Sequence, residues 1–194
     1  MAAAGPERSS VRVAITERCQ KGGITGHDAG VLTTPSTACP VCGFDWSVDH
    51  ATAIALVLEA PARYAQTFAG RDGPRSTFDG TLSPREHLWF TVDILRYGAE
   101  RLWTLSLDPD AGVMPWHPRD AHVLRQASPM SVRVGLWALP VASREWALAA
   151  RAAPPDVSAW HDDIGWMDRL LMVRRDAHEV VHRENSIRRL LPEV

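Results

Sequence analysis

Proline does most to limit what this chain can fold into. It cannot donate a backbone hydrogen bond, and it recurs where stretches with helical apolar spacing begin, bend or end. Ser83-Pro84-x-Glu86 reads as a helix start: Ser83 can cap, Pro84 suits the first helical position, and Glu86 completes a capping box. Leu88, Trp89, Val92, Leu95, Leu102 and Trp103 then carry that helix to about Leu107, where Asp108-Pro109-Asp110 stops it. An earlier helix is expected over 47–69, through Ile54, Leu56, Val57, Leu58, Tyr64 and Phe68, with Pro61 placed to bend it. Ser128-Pro129 opens a third to about Ala153, with Pro140 inside and Pro154-Pro155 closing it. A polar stretch with Trp160, His161, Asp162 and Asp163 leads to the last helix, about Gly165 to Leu191.

Four helices, no convincing strand pair in the body and long connections predict an all-α four-helix bundle. The expected division is an irregular N-terminal arm over 1–46, holding a Cys-x-x-Cys turn, and the bundle over 47–194. Gly22-Gly23 and Pro35 break the arm, and only Val11–Ile15 reads as a short strand there.

Composition removes several classes of function. Hydrophobic residues make up 45% of the 194, enough to build a core. A formal net charge of -2 lacks the basic field that non-specific nucleic-acid binding needs. No apolar run reaches the roughly 18 residues of a membrane span, and Met1–Ser10 has no apolar core of a signal peptide, so the expectation is a cytoplasmic protein. Lys21 is the one lysine beside many arginines, a skew that fits GC-rich codon usage. The eight tryptophans suit helix-packing cores and pocket walls alike.

Two motifs could carry chemistry. His178-Glu179-Val180-Val181-His182 places two imidazoles one helical turn apart on one face, the spacing that suits one metal ion. It also matches H-E-x-x-H, which would make Glu179 a general base. Only Glu184 and Glu193 follow as third ligands, and no room remains for a protease cleft. The plain alternative is two histidines that happen to share a face. The second motif, Cys39-x-x-Cys42-Gly43, is half of a zinc knuckle, which Cys19 and His27 could complete as Cys₃His. Two thiols shaping a turn is the simpler reading, and a Cys39–Cys42 disulfide does not suit a reducing cytoplasm.

Taken in order, Cys39–Asp45 (CPVCGFD), Ser83-Pro84-x-Glu86 with Asp93 and Ala99-Glu100-Arg101, and His178-Glu-Val-Val-His182 resemble the DinB/YfiT-like superfamily. The likeness is to its high-GC bacterial branch and spans about Cys39 to Leu190. It implies a bundle with a divalent metal (zinc, nickel or iron) on three histidines, one from the second helix and a pair from the fourth. It also implies thiol transfer or isomerisation with mycothiol or bacillithiol. His178 and His182 match the pair. The second-helix ligand falls on Phe90, which cannot ligate, and His87, one turn earlier, is the candidate substitute.

Two enzyme readings follow, both on a small organic substrate. In one, metal on His178, His182 and His87 activates a thiol or water. In the other the metal and thiol are absent, and His178 or His182 acts as acid or base beside a wall of Phe90, Trp89 and Trp116 in a tailoring, cyclisation or isomerisation step. Asp93, Glu179 and Glu184 could orient a histidine. His117 and Asp120 fall with Trp116 in the loop after the second helix. A ligand- or partner-binding bundle, as a homodimer, is the non-catalytic alternative.

Overall fold

The computed structural model describes residues 38–71, 82–108, 131–161 and 165–191. They form α1 (His50–Thr67), α2 (Pro84–Leu107), α3 (Val132–Ala152), β1 (Ser158–His161), β2 (Gly165–Asp168) and α4 (Arg169–Leu190). The four-helix bundle expected from the sequence is the observed architecture.

Each helix start has its own cap. Asp49 Oδ1 accepts from Thr52 N at 2.7 Å, Ser131 Oγ from Val134 N at 3.2 Å, and Asp168 Oδ1 from Leu171 N at 2.7 Å. At α2 the capping box closes in both directions: Ser83 N donates to Glu86 Oε2 at 2.7 Å and Glu86 N to Ser83 Oγ at 3.3 Å. Pro61 and Pro140 lie inside α1 and α3, which continue through them.

Two boundaries differ from expectation. The last helix begins at Arg169, not Gly165, because 165–168 pair antiparallel with 158–161 in a small hairpin the apolar pattern did not show. Trp160 and Trp166 are directly opposed there, their rings edge to face at 5.9 Å, and such cross-strand aromatic pairs stabilise short ribbons. The third helix starts at Val132 behind its Ser131 cap, while Ser128-Pro129 lie outside the described residues.

Contacts along the helices define their directions. Arg63 pairs with Glu184 and Arg174 donates to Val48 O, so α1 and α4 run parallel. Gly135 faces Leu88 and Gly98 faces Trp146, so α2 and α3 are parallel too. Arg183 over Phe90 and Arg101 beside Asp176 set α2 antiparallel to α4. The order is up-down-down-up, in which the parallel neighbours α2 and α3 need a connection returning the length of a helix.

The core is centred on Trp146, Tyr64, Leu88, Leu95, Leu102, Leu139 and Met172, all fully buried. Tyr64 Oη donates to Val180 O at 2.9 Å and lies 2.9 Å from Thr91 Oγ1, so its hydroxyl is satisfied inside the bundle. Burial pushes the Tyr64 phenol far above its ordinary value.

Gly98 is the tightest crossing. A Cβ there would stand 2.4 Å from Asp176 Oδ2 and 3.0 Å from the Trp146 ring. Gly98→Ala is expected to destabilise the bundle by about 1–3 kcal/mol, despite the better helix propensity of alanine. Thermal unfolding should show a midpoint lower by roughly 3–10 °C; an unchanged or raised midpoint would contradict this packing.

Candidate metal centre

The Cys-x-x-Cys turn closes on itself before it meets the bundle. Gly43 N donates to Cys39 O at 2.8 Å and Cys39 N to Phe44 O at 2.8 Å. Gly43 carries φ +72°, a left-handed conformation that glycine adopts without strain. The turn buries Cys39 and leaves Cys42 half-buried, and neither is in a disulfide.

The segment that follows lies against α4. Arg174 donates to Val48 O at 2.6 Å and Ser47 O at 3.1 Å, and Arg189 donates to Val41 O. Phe44, itself buried, meets the His178 ring edge to face at 5.4 Å, and Trp46 tilts over the same ring at 4.7 Å. The arm and the fourth helix therefore share one core.

This packing joins two half-sites that are far apart in the chain. One ligand atom from each of Cys39, Cys42, His178 and His182 lies within 4.8 Å of the other three. Cys39 Sγ is 3.9 Å from His182 Nδ1, and the His178 and His182 rings are 5.3 Å apart. A tetrahedral shell with Zn–S of about 2.3 Å and Zn–N of about 2.0–2.1 Å sets neighbouring donors about 3.3–3.8 Å apart. Small side-chain rotations close that difference. His178 Nε2 is fully buried with no hydrogen-bond partner, an expensive state for a ring nitrogen that a metal ion would relieve. The donors fit a zinc-class ion by type, number and spacing.

The electrostatics fit as well. Burial, only partly opposed by Glu179, lowers the His178 pKa from its ordinary 6.5 to about 4. Burial also lowers that of His182, with Arg183 and Arg189 adding to the effect against Glu179. Both imidazoles are thus neutral at physiological pH, the form that binds metal. Glu179 places Oε1 4.0 Å from His178 Nδ1, while Arg183 holds Oε2 at 2.8 Å. Burial pushes the Glu179 carboxyl up, but the charges of Arg183, His178 and His182 outweigh it and leave its pKa lowered. At 4.0 Å the carboxylate acts on the His178 ring through its charge rather than through a hydrogen bond.

The depressed His178 pKa has a consequence for stability. The unfolded chain takes up a proton at this residue near pH 6.5 and the folded chain only near pH 4, so stability rises with pH across that window. Metal-stripped protein should therefore lose roughly 3 kcal/mol as pH falls from about 6.5 to about 4, part of which His178→Phe would recover. Denaturant titrations at several pH values read this directly. Equal slopes for the two proteins would rule out His178 as the source.

The remaining predicted site residues are distributed as follows. His87 is buried near the start of α2 and is not one of the four clustered donors. The four clustered donors include two cysteines and not His87, the candidate that the sequence offers for the second-helix ligand. Of the expected Cys₃His knuckle, Cys39 and Cys42 lie beside His178 and His182, while Cys19 and His27 lie outside the described residues. Phe90 stands half-buried under the Arg183 guanidinium, 4.1 Å from its ring centroid. It supports the arginine that grips Glu179. Trp89 is buried and Asp93 half-buried on α2. Glu184, orienting no clustered histidine, is buried between Arg63 and Arg188. Trp116, His117, Asp120 and Glu193 lie outside the described residues.

Among the described residues no helix is long and apolar enough to cross a membrane. No family model matches the sequence, and no curated protein matches it. One solved structure does share the fold: YfiT from Bacillus subtilis, described as a probable metal-dependent hydrolase with an unusual four-helix bundle topology. The two superpose with a TM-score of 0.58 at 15% identity, over 73% of this chain and 83% of that one. This chain is similar in fold to the YfiT type of four-helix bundle.

Proposed function

We propose that this chain is a metal-dependent enzyme of the DinB-like bundle type, acting on a small organic molecule through a Cys₂His₂ centre. The convergence of Cys39, Cys42, His178 and His182 within 4.8 Å carries this reading. The metal-dependent hydrolase description of YfiT supports it at the level of chemistry. The pKa of His178 also speaks for the metal branch over the metal-free one. An imidazole with a pKa of about 4 is a weak base at neutral pH and a ready ligand.

Cys39, Cys42, His178 and His182 would hold the ion, which when bound supplies Lewis acidity and lowers the pKa of the groups it holds. Arg183, stacked on Phe90, holds Glu179 so that its charge lies beside His178. Phe44 and Trp46 keep water from the inner side of the His178 ring. Cys42 is the more accessible of the two cysteines, so substrate would approach there.

A second reading rests on the number of donors. Catalytic zinc sites keep a position open, whereas four protein ligands make a closed, structural one. On that reading the ion clamps the arm to α4 and the bundle binds its partner elsewhere.

Metal content of purified wild type, Cys42→Ala and His178→Ala, paired with a screen of ester, amide and thiol-transfer substrates, tests both. One equivalent lost in both variants together with turnover supports the enzyme. Loss of metal and thermal stability with no turnover in any protein supports the clamp. Metal retained by His178→Ala would refute the shared centre.

A further inference from the structure

Resting on that Cys₂His₂ reading, we infer that Cys42 is a peroxide-reactive thiolate and Cys39 its resolving partner, so that oxidation releases the metal. The two donors of the turn differ in one respect that matters for reactivity. Cys39 is buried beside His182, and Cys42 is half-buried. Access selects which of two thiolates an oxidant reaches, and it favours Cys42. Its partner is within 4.8 Å in the same five-residue turn, closed by the Gly43 N to Cys39 O hydrogen bond.

The chemistry balances with a hydroperoxide as oxidant. The Cys42 thiolate attacks one peroxide oxygen, the O–O bond breaks, and two electrons pass from sulfur to oxygen. Cys42 becomes a sulfenic acid, and the other oxygen leaves as hydroxide, which takes a proton to form water. The Cys39 thiolate then attacks the Cys42 sulfur and expels its hydroxyl as a second water. Two thiolates, one hydrogen peroxide and two protons become one disulfide and two waters.

The disulfide removes two of four donors. His178 and His182 alone are a weak, labile pair. The bundle itself does not depend on the oxidised turn, because Phe44, Arg174 and Arg189 still fasten the segment to α4. Release is therefore expected with the helices intact, and a thiol reductant plus zinc should restore the centre.

The test uses the full chain loaded with one equivalent of zinc, titrated with hydrogen peroxide while a chromophoric chelator reads free zinc. Peptide mapping follows the thiols, including Cys19. The expected result is zinc release in step with a Cys39–Cys42 disulfide, with unchanged helical circular dichroism. In Cys39→Ser a 1,3-dione probe should trap sulfenic acid on Cys42, at about ten times the labelling of Cys39 in Cys42→Ser, as the difference in access requires. Zinc retained with both thiols intact, sulfinic acid without disulfide, or equal labelling of the two variants would each overturn the inference. Failure of reduced wild type to load zinc is a different result, because it removes the metal reading on which this one stands.

Discussion

His178→Ala is expected to weaken zinc binding by more than about a hundredfold, beyond the 10–100-fold typical of changes to groups that only orient ligands. His178 Nε2 is the buried, unpartnered nitrogen of the cluster, and no other donor among the described residues is gathered there to replace it. The thermal midpoint should respond in proportion. A ligand at a thousand times its dissociation constant stabilises by about 4 kcal/mol, which for a chain of this size is roughly 8–16 °C. Wild type should therefore lose about that much on chelation, and His178→Ala should melt near the chelated wild type with or without zinc. Calorimetric titration and paired melts read both quantities. A variant that still gains several degrees from zinc would show that the ion sits elsewhere.

Asp176→Ala is expected to be the most damaging change away from the metal centre. One guanidinium nitrogen of Arg101 bridges both Asp176 oxygens at 3.1 and 3.0 Å, and Trp146 Nε1 donates to Oδ2 at 2.8 Å. Both charged side chains are about nine-tenths buried. Removing the acid leaves a cation and an indole N–H in the core without their acceptor, a defect that costs about 3–5 kcal/mol. The midpoint should fall by roughly 6–20 °C with zinc stoichiometry unchanged, because the network lies on another face of α4. Arg101→Met in the same background should restore much of the loss, since it removes the stranded charge. A double variant no more stable than Asp176→Ala would mean that the ion pair is not the origin of the effect.

The two variants separate what α4 does on its two faces. Asp176 points into the core with Arg101 and Trp146, while His178 and His182 face the arm. Asp176→Ala should therefore change thermal stability alone, and His178→Ala both zinc affinity and the stability that zinc adds. One charge-rich helix thus packs the core with one face and gathers the clustered histidines on another.

Local chemistry in the sequence determined the helices. Ser83-Pro84-x-Glu86 satisfies orphan N–H groups within one turn, so its capping box was legible without any tertiary contact. Apolar spacing likewise marked the buried faces of α1 and α2, except at Trp103, which is exposed, because period is a property of consecutive residues. The hairpin at 158–168 escaped, since four-residue strands are too short to show alternation and its pairing is set by the residue opposite.

The site divided along the same line. Cys39-x-x-Cys42 reads in the sequence as half of a zinc knuckle and His178-x-x-x-His182 as a pair able to share one ion, because a turn and a helical repeat fix their spacing locally. That the two pairs lie together is decided by tertiary structure alone. Phe44 and Trp46 pack on the His178 ring, and Arg174 and Arg189 anchor the backbone of residues 41–48. Together they carry the cysteines across 139 positions of sequence, from 39 to 178, to the histidines. The same packing makes Phe90 a platform for Arg183, where a resemblance in sequence implied a missing ligand. Residue type and spacing determine which atoms can bind a metal, but only burial and packing decide which of them share one.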